Sequence, residues 1–591
     1  MSKVIIYDFE TFMYDCLLGA NIIDENGKSY IYQTWVLDEI REFYKNHQND
    51  LWVGHNNYEY DDLLLDGIVK FKDPYETNSK IMAKTYISYN KIKLYSIDLM
   101  RLKSETYALK LTELLCGKNI HTTEVPFTIK RQLTKEEKEK TERYNRSDLI
   151  QTTYNYNMMY DLIKLKFDII TEFNLNLLQC LSLPGSALAA KVLNAKYNPS
   201  LQYAEVKPIL YDNLKLTNST VLDYYMKKRY KSDEPFTILF NGVELSFGNG
   251  GMHGAVKQAF FEKVIYIDVK GYYNLLALLY DLLPRNLSDE AKLKYKHMYE
   301  TQLELKKTNP VKREAYKVIL LAVIGSMFRA NSPFYDPENY LLLTALGQVF
   351  IYSLLERLQD LIDVVQVNTD GLMIVPKDWN NVEAVISIAR EWEKETGFDI
   401  KIDYLYNLWQ RDVNTYCCQD DKGNVICKGD AFKNYDIGDK AYASQSIFKC
   451  KEAPIIAQGI VQFLIYGITP EDYISKHKRD LRLYQYACST GKGYDYLTYD
   501  SKNIRTMEEY TEKIQSPSRV FALKSNEIYG TVYKHKDRFG KVSQSKYPSL
   551  PDNSFIYNYA LSDADEEIYK KIDYQYYVEK IYKKLRDFIG E

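Results

Sequence analysis

Two acidic residues stand two positions apart in the first apolar segment of the chain, VIIYDFET at residues 4–11. Side chains alternate between the two faces of a β-strand, so Asp8 and Glu10 are predicted to lie on the same face. Two neighbouring carboxylates repel each other unless a cation compensates their charge. The pair therefore indicates a divalent-metal site, and two solvent-facing charges are the alternative interpretation of this pair taken alone.

Two later segments carry further acidic residues beside helix-like patterns. Asp61 follows Asn57 by four residues in GHNNYEYDDLLL and stands at the start of an apolar run. Tyr144 and Asp148 have i, i+4 spacing in TERYNRSDLIQ, which places a phenol and a carboxylate on one helical face. A carboxylate-rich site with one phenol is predicted if these segments meet the first strand.

Two more acids stand at the ends of predicted strands. The segment FEKVIYIDVKGYYNLLALL, residues 261–279, reads as a strand that ends at Asp268 and is followed by a helix. The segment VVQVNTDGLMIV, residues 364–375, reads as strand–turn–strand with Asp370 at the tip. Each acid taken alone also has an ordinary interpretation, as a helix cap or as a turn residue.

Two helices are predicted between these strands, over residues 288–307 and 311–328, and an Asn-Pro pair joins them. Arg313 and Lys317 lie one turn apart on the second helix, so two cations share one face. Such a face can bind an anion as large as a triphosphate. A solvated basic stripe is the alternative.

The whole chain has 591 residues, of which 46% are hydrophobic and 27% are charged, with a net charge of −3. This length exceeds one ordinary core, so we expect three or four domains. The composition is that of a soluble protein, and we expect no segment long enough to cross a membrane and no membrane partner. Its 8 cysteines form no CxxC pair, and the first residues resemble a strand more than a signal peptide, so we expect a cytoplasmic protein.

The segments that contain Asp8, Asp61 and Tyr144 resemble, in this order, the three exonuclease motifs of DEDD-type 3′–5′ proofreading nucleases: DxE, Nx2(F/Y)D and Yx3D. The resemblance implies that Asp8, Glu10, Asp61 and Asp148 hold two divalent cations, Mg²⁺ or Mn²⁺, for two-metal hydrolysis. It also implies that Tyr144 orients the attacking water.

The segments that contain Asp268 and Asp370 resemble motifs A and C of family B DNA polymerases, DxxSLYP and YxDTDS. The resemblance implies that these two aspartates hold two Mg²⁺ ions, with Mn²⁺ as an alternative. It makes Tyr273 the steric gate against a 2′-hydroxyl and places Val269 among the nucleotide-binding residues. Asn368 replaces the first motif C aspartate, and we expect its side chain to bond the turn.

The second predicted helix resembles motif B, Kx3NSxYG, with Lys317 as its lysine and Arg313 as a second nucleotide-binding cation. Leu321 and Ile324 replace the asparagine and the tyrosine, so the incoming base pair is expected to meet an aliphatic surface. In a KxY-like hairpin, Asn414 stands in place of the lysine. Implied DNA contacts are Thr415, Tyr416, Lys428, Gly250, Gly251 and, at the exonuclease site, Lys130.

The resemblance implies an α/β multidomain fold: an RNase H-like exonuclease domain, a palm of antiparallel sheet plus helices, short helical fingers and a thumb. The predicted divisions are 1–170 for the exonuclease domain, 171–285 for a linking region and the first part of the palm, 286–328 for the fingers, 329–432 for the rest of the palm, and 433–591 for the thumb. Basic, tyrosine-rich stretches at 534–548 and 578–590 suit contact with a duplex backbone.

The implied function is that of a compact, phage-like DNA polymerase with intrinsic 3′–5′ proofreading. Implied partners are primer–template DNA, dNTPs and phage replisome proteins, and the protein would act as a monomer in the cytoplasm of a host cell. The intervals from Asp268 to Lys317 and from Gly325 to Asp370 leave no room for the insertions of protein-primed polymerases. Alternatives are a stand-alone exonuclease, a replisome scaffold with a degenerate polymerase half, and a primer-independent or protein-primed polymerase.

Overall fold

The chain forms two compact units in the computed structural model. The structure describes residues 3–102, 107–120, 122–201, 208–227, 235–248, 250–438, 450–491, 493–524, 527–538 and 541–590. The first unit consists of Met1–Pro184, Lys433–Gly459 and Thr469–Ile581, and the second unit consists of Gly185–Phe432, Ile460–Ile468 and Tyr582–Glu591. The finer division into five segments stays a prediction. Within the basic stretch 534–548, residues 539–540 lie outside the described residues.

The N-terminal part of the first unit is a five-stranded sheet with helices. Its strands are β1 Val4–Thr11, β2 Cys16–Ile23, β3 Ser29–Thr34, β4 Leu51–Gly54 and β5 Tyr95–Asp98. Its helices are α1 Leu37–His47, α2 Asp61–Val69, α3 Pro74–Met82, α4 Leu109–Leu115, α5 Lys135–Met158, α6 Tyr160–Glu172 and α7 Leu177–Cys180. The strand order is β3-β2-β1-β4-β5, with β1 antiparallel to β2 and parallel to β4.

Strand β1 lies at the centre of this sheet because its apolar side chains are buried on both faces, as at Ile5, Ile6 and Tyr7. A central strand is hydrogen-bonded along both edges, so the acids that it carries have a rigid base. Helix α5 packs against β1. It begins at a capping box in which Thr134 and Glu137 satisfy each other's backbone amides.

The second unit is built on a nine-stranded sheet. Its helices are α8 Gly185–Val192, α9 Ser219–Lys227, α10 Tyr272–Leu279, α11 Asp289–Thr308, α12 Pro310–Ile324, α13 Pro337–Leu358 and α14 Val382–Thr396. Its strands are β6 Phe236–Phe240, β7 Val243–Phe247, β8 Met252–Ala255, β9 Ala259–Val269, β10 Ile362–Asn368, β11 Gly371–Pro376, β12 Ile400–Asp412, β13 Thr415–Gln419 and β14 Val425–Lys428. The order is β14-β13-β12-β9-β11-β10-β8-β7-β6.

Two local predictions in this unit are confirmed. The predicted strand–turn–strand is the antiparallel pair β10–β11, in which Asn368 stands opposite Gly371. The two predicted helices are α11 and α12, and Asn309 caps α12 by accepting a hydrogen bond from the backbone amide of Lys312. Strand β9 lies between β11 and β12, so the strand that ends near Asp268 is an interior strand of the sheet.

The expectation that no segment is long and apolar enough to cross a membrane is wrong for α13. This helix has 22 residues and a mean hydropathy of 1.4 over its most apolar window, which satisfies the length and composition of a membrane span. However, 83% of that window is buried inside the protein. The helix contacts α9, α10 and α14, and a helix enclosed in this way is apolar on all sides because it is a core helix.

The C-terminal part of the chain contains two further sheets. Its helices are α15 Pro454–Tyr466, α16 Pro470–His477, α17 Glu566–Lys571 and α18 Tyr574–Ile589. Its strands are β15 Tyr486–Cys488, β16 Tyr496–Asn503, β17 Glu509–Ile514, β18 Ser518–Ala522, β19 Ile528–Arg538, β20 Lys541–Lys546 and β21 Ser554–Ile556. The strand orders are β15-β18-β21 and β17-β16-β19-β20.

Any side chain larger than a hydrogen atom at Gly371, the first residue of β11, is predicted to lower the stability of the protein. A Cβ atom on this residue would lie 2.8 Å from the carbonyl oxygen of Ile267 on the neighbouring strand β9. We expect Gly371→Ala to lower the free energy of unfolding by about 1–3 kcal/mol, measured by thermal unfolding. Gly185→Ala is the matched control in the same unit, because the nearest atom to its new methyl group, Val318 Cγ1, is 4.0 Å away. Equal stability of the two variants would contradict this packing.

Candidate active sites

Four carboxylates gather where β1, α2 and α5 meet, and we call them the N-terminal cluster: Asp8, Glu10, Asp61 and Asp148. Oxygen atoms of Asp8, Glu10 and Asp148 all lie within 4.8 Å of one another. Asp61 begins α2, and its Oδ1 accepts a hydrogen bond of 3.1 Å from the backbone amide of Phe9. Three segments that are far apart in the sequence therefore place their acids in one site.

The N-terminal cluster carries more buried negative charge than its surroundings compensate. Burial, and then the charge of Asp148, raises the pKa of Asp8 to about 7. Burial together with the neighbouring carboxylates also raises the pKa of Glu10 and that of Asp61. Buried carboxylates of like charge are stabilised by a cation, and an all-oxygen donor set suits Mg²⁺ or Mn²⁺. The residues present thus fit the divalent cations that the resemblance implies.

Helix α5 supplies the phenol and an amide to this site. Tyr144 lies one turn before Asp148 and hydrogen-bonds to it, and burial raises the pKa of the phenol, so the hydroxyl stays protonated. The Asn145 Nδ2 donates to Asp8 Oδ2 at 3.1 Å, which ties α5 to β1. A Cβ atom on Gly19 of β2 would lie 1.7 Å from the Asn145 side-chain oxygen, so a glycine lets α5 approach the sheet.

Lys110 on α4 is a site residue that sequence reasoning missed. Its Nζ donates to Asp148 Oδ1 at 2.6 Å and lies 4.7 Å from the centre of the Tyr144 ring. Burial lowers the pKa of Lys110, but the charges of Asp148 and Glu113 outweigh burial and hold that pKa above its usual value. The ammonium group is therefore charged. Lys130, the lysine that the sequence suggested, is exposed in the loop before α5.

A second carboxylate site lies in the other unit, and we call Asp268 and Asp370 the strand-end pair. Asp268 stands opposite Gly371 in the β9–β11 register, so the two acids come from neighbouring strand ends. The amide of Val269 donates to the Asp370 carbonyl at 2.9 Å, whereas the Val269 side chain is buried. Burial, and then the charge of Asp370, raises the pKa of Asp268, and burial also raises the pKa of Asp370. Two such carboxylates fit divalent cations.

The turn that carries Asp370 is held from two sides. The Asn368 Oδ1 accepts a hydrogen bond of 2.8 Å from the amide of Thr369, so the expected bond between Asn368 and the turn is confirmed. The Thr369 hydroxyl lies 3.1 Å from His253 Nε2 on β8. A Cβ atom on Gly251 would lie 2.6 Å from the Thr369 hydroxyl, so glycine permits this contact. The DNA-binding role of Gly251 stays a prediction.

Tyr273 on α10 has a fixed ring. Its hydroxyl donates to the carbonyl oxygen of Gly250 at 2.8 Å, and its ring centre lies 5.6 Å from that of Tyr272. A Cβ atom on Gly347 would lie 3.0 Å from the ring of Tyr273, so the helix behind it fits closely. A ring held in this way has the rigidity that a steric gate needs, and the gate role stays a prediction.

Two of the cations of α12, Arg313 and Lys317, share one acid. Arg313 and Lys317 each lie 3.4 Å from a carboxylate oxygen of Glu314, which is long for an ion pair and leaves both able to bind an anion. Leu321 is 52% exposed, but Ile324 is only 8% exposed because it faces the core. The expectation of an aliphatic surface formed by both residues is therefore wrong for Ile324.

The predicted KxY-like hairpin corresponds to β12–β13–β14. Thr415 is buried, and its hydroxyl donates to Asp430 at 3.0 Å and accepts from Arg411 at 2.9 Å. Tyr416 stands opposite Lys428 in the β13–β14 register. Because Thr415 is committed to these internal bonds, Tyr416 and Lys428 are the more accessible of the predicted DNA contacts.

Comparison with known proteins finds similarity to solved structures but not to family models or curated sequences. No protein-family model matches the chain, and no curated protein matches it in sequence. Among solved structures, it is similar to the family B DNA polymerase from the hyperthermophilic archaeon Pyrobaculum calidifontis, with a TM-score of 0.47 and 13% sequence identity. The match covers 100% of this chain and 78% of that chain. At this distance, the residues of the two carboxylate sites have to identify the chemistry.

The raised pKa values of the N-terminal cluster predict a pH-dependent response to divalent cations. Because the folded-state pKa of Asp8 is about 7 against an ordinary 3.8, the folded state holds the proton more tightly, and the stability of the metal-free protein falls as the pH rises through this interval. Divalent cations bind the deprotonated cluster, so Mn²⁺ should raise the unfolding temperature of the first unit more at pH 8 than at pH 6.

Thermal unfolding with and without Mn²⁺ at the two pH values measures this response. The double substitution Asp8→Asn and Glu10→Gln should remove the difference between the two pH values, because it removes two of the acids that must lose protons. Equal Mn²⁺ shifts at both pH values in the unmodified protein would show that the cluster does not bind the ion in this way.

Proposed function

We propose that the chain is a template-directed DNA polymerase that adds dNTPs to a primer 3′ end and removes mispaired 3′ ends with its own 3′–5′ exonuclease. One observation carries the proposal: acids from distant segments assemble into two separate carboxylate sites, and their order along the chain is that of the motifs they resemble. The N-terminal cluster is the proposed exonuclease site, and the strand-end pair is the proposed polymerase site.

At the N-terminal cluster, the reaction is hydrolysis of the terminal phosphodiester. Bound divalent cations would activate the attacking water and stabilise the leaving oxygen. Water adds to phosphorus, the bond from phosphorus to the 3′ oxygen breaks, and the terminal nucleotide leaves as a 5′-monophosphate. Tyr144 keeps its proton and is held by Asp148, so its hydroxyl can orient the water. Lys110 contributes a positive charge next to Asp148, where a phosphate would approach.

At the strand-end pair, the reaction is nucleotidyl transfer. Bound divalent cations would lower the pKa of the primer 3′-hydroxyl and neutralise the triphosphate. The 3′ oxygen attacks the α-phosphorus of the dNTP and pyrophosphate leaves. Arg313 and Lys317 bind triphosphate oxygens in place of Glu314. Tyr273, held against Gly250, excludes a 2′-hydroxyl by its volume.

The surroundings of this reaction follow from the same proposal. The physiological ion is Mg²⁺, and Mn²⁺ can replace it. The partners are primer–template DNA, whose backbone Tyr416 and Lys428 contact, together with dNTPs and proteins of a phage replisome. The protein acts as a monomer in the cytoplasm of the host cell.

A second candidate is a 3′–5′ exonuclease whose polymerase half is degenerate. One observation favours it: among the residues that the structure describes, only the N-terminal cluster brings three potential metal ligands within 4.8 Å of one another. The strand-end pair has two acids, and Asn368 stands where the resemblance expects a third. A primer-extension assay separates the two candidates.

Loss of either carboxylate site should remove one activity and leave the other. With a labelled primer–template, dNTPs and Mg²⁺, Asp370→Ala should lose extension by about 10³-fold or more, because the charge of the strand-end pair is halved. Asp8→Ala should retain extension and lose 3′ degradation. Degradation by Asp370→Ala without extension by the unmodified protein would establish the second candidate. Extension in a parallel reaction that lacks the primer would identify a primer-independent enzyme.

Asn368→Asp should leave primer extension largely intact, with a change of less than about tenfold. Aspartate has the same shape as asparagine and can accept the same hydrogen bond from the amide of Thr369. The added negative charge should change the Mg²⁺ concentration that gives half-maximal extension only modestly, because divalent cations compensate that charge. Initial extension rates over a Mg²⁺ titration measure both effects. Abolished extension in a correctly folded Asn368→Asp variant would reveal a specific role for the asparagine.

A further inference from the structure

Arg519 is a buried cation of the first unit that the proposed chemistry does not use. It lies on β18, it is 0% exposed, and burial lowers the pKa of its guanidinium to about 10, so it remains charged at neutral pH. Its side chain donates five hydrogen bonds to neutral oxygens: Gln485 Oε1 at 2.9 Å and the carbonyls of Tyr557 at 3.2 Å, Tyr559 at 2.6 Å, Leu114 at 3.1 Å and Lys118 at 2.8 Å. Burying a charge among neutral groups is costly, so its position needs an explanation.

The explanation lies at the C-terminal end of α4, where Leu114 in the last turn of the helix and Lys118 in the turn that follows supply two of the five acceptors. Carbonyl groups at a helix C-terminus carry partial negative charge and have no partner within the helix. The Arg519 Nη2 bonds to Leu114 and Lys118 there, and the Gln485 side chain donates to the Leu115 carbonyl at 3.2 Å. The Leu114 carbonyl also accepts from the Gly117 amide at 2.9 Å, so the guanidinium adds a charged hydrogen bond at the end of a helix that belongs to the N-terminal part of the chain.

Backbone hydrogen bonds extend this contact along the turn that follows α4. The amide of Leu561 donates to the Gly117 carbonyl at 2.8 Å. The amide of Ile120 donates to the carbonyl of Asn558 at 3.0 Å. Residues 114–120 are therefore bound by the C-terminal part of the same unit, and Arg519 is the charged centre of that contact.

The other end of α4 reaches the N-terminal cluster. Lys110 donates to Asp148 and lies over the ring of Tyr144. One turn of helix separates Lys110 from Leu114, so a displacement of the helix end moves the ammonium group as well. The hydroxyl of Thr112 accepts from the Gln151 side chain at 3.1 Å, which makes α5 the second support of this short helix.

We infer that Arg519 is a positioning residue of the exonuclease site. By binding the Leu114 carbonyl of α4 and the Lys118 carbonyl of the turn that follows, it holds Lys110 against Asp148 and Tyr144. This inference rests on the proposed exonuclease function and adds that the C-terminal part of the first unit is needed for it. A fragment that contains only residues 1–170 would lack the guanidinium and would hold Lys110 loosely.

Substitution of Arg519 should lower the rate of 3′ excision more than it lowers the rate of primer extension. We expect Arg519→Met to lower the rate of 3′ excision by about 10- to 100-fold, the usual effect of losing a support behind a site residue, and to retain primer extension. Arg519→Lys should recover part of the loss, because it restores a cation at the end of α4. The matched control is Tyr577→Phe, since the Tyr577 hydroxyl is buried and bonds only to Tyr484 and Ala522 among the described residues. It should leave excision unchanged.

A double-mutant cycle with Lys110→Met distinguishes positioning from general stabilisation. If Arg519 acts through Lys110, Arg519→Met should cost little further excision in a chain that already carries Lys110→Met. Multiplicative losses in the double variant would overturn the inference. So would an excision rate for Arg519→Met that equals that of Tyr577→Phe.

Amine labelling of the full chain gives a readout that does not depend on activity. Arg519→Met should raise the labelling of Lys110 several-fold and leave the labelling of Lys166 on α6 unchanged. Gln485→Leu removes the bond to the Leu115 carbonyl and one of the five acceptors of Arg519 but keeps the guanidinium, so it should raise the labelling less, and it serves if Arg519→Met does not fold. If the unmodified protein excises no DNA, the proposed exonuclease function fails. Unchanged labelling of Lys110 would instead overturn the inference, whatever the activity.

Discussion

Repulsion between buried carboxylates is the constraint on which both candidate sites depend. At the N-terminal cluster, burial and then the charge of Asp148 raise the pKa of Asp8 to about 7, and at the strand-end pair, burial and then the charge of Asp370 raise the pKa of Asp268. Like charges held this closely push their supports apart unless those supports are rigid. Each site accordingly includes acids on an interior strand of a sheet: Asp8 and Glu10 on β1 in one unit, and Asp268 on β9 in the other. A divalent cation that binds there relieves the repulsion between the carboxylates, and this relief favours binding.

Close backbone approach is the second requirement, and glycines meet it. Gly371 lets β9 and β11 bring Asp268 beside the turn of Asp370, and Gly251 lets β8 reach that turn through Thr369. At the N-terminal cluster, Gly19 allows Asn145 of α5 to reach Asp8. In each case a methyl group would collide with a neighbouring strand, turn or helix, so the geometry of the acids depends on residues that have no side chain.

Charge compensation in the first unit links parts of the chain that lie far apart in sequence. Lys110 neutralises part of the N-terminal cluster, and its helix ends on Arg519, a cation without an acidic partner among its hydrogen bonds. The two cations stabilise different things: one offsets side-chain carboxylates, and the other offsets the partial charges of helix carbonyls. The exonuclease site in the proposed function thus draws on the C-terminal part of the chain as well as on its own motifs.

The sequence by itself determined the features that depend on local periodicity. Alternation along a strand put Asp8 and Glu10 on one face, helical spacing paired Tyr144 with Asp148, and turn residues marked the hairpin of Asp370. Tertiary structure alone decided what lies opposite these residues. Lys110 and Asn145 reach the cluster from α4 and α5, Ile324 turns towards the core, and α13 is apolar because protein surrounds it. Periodicity describes which way a side chain points relative to its own element, whereas contacts between elements depend on how those elements pack, and no spacing rule connects residues 110, 148 and 519.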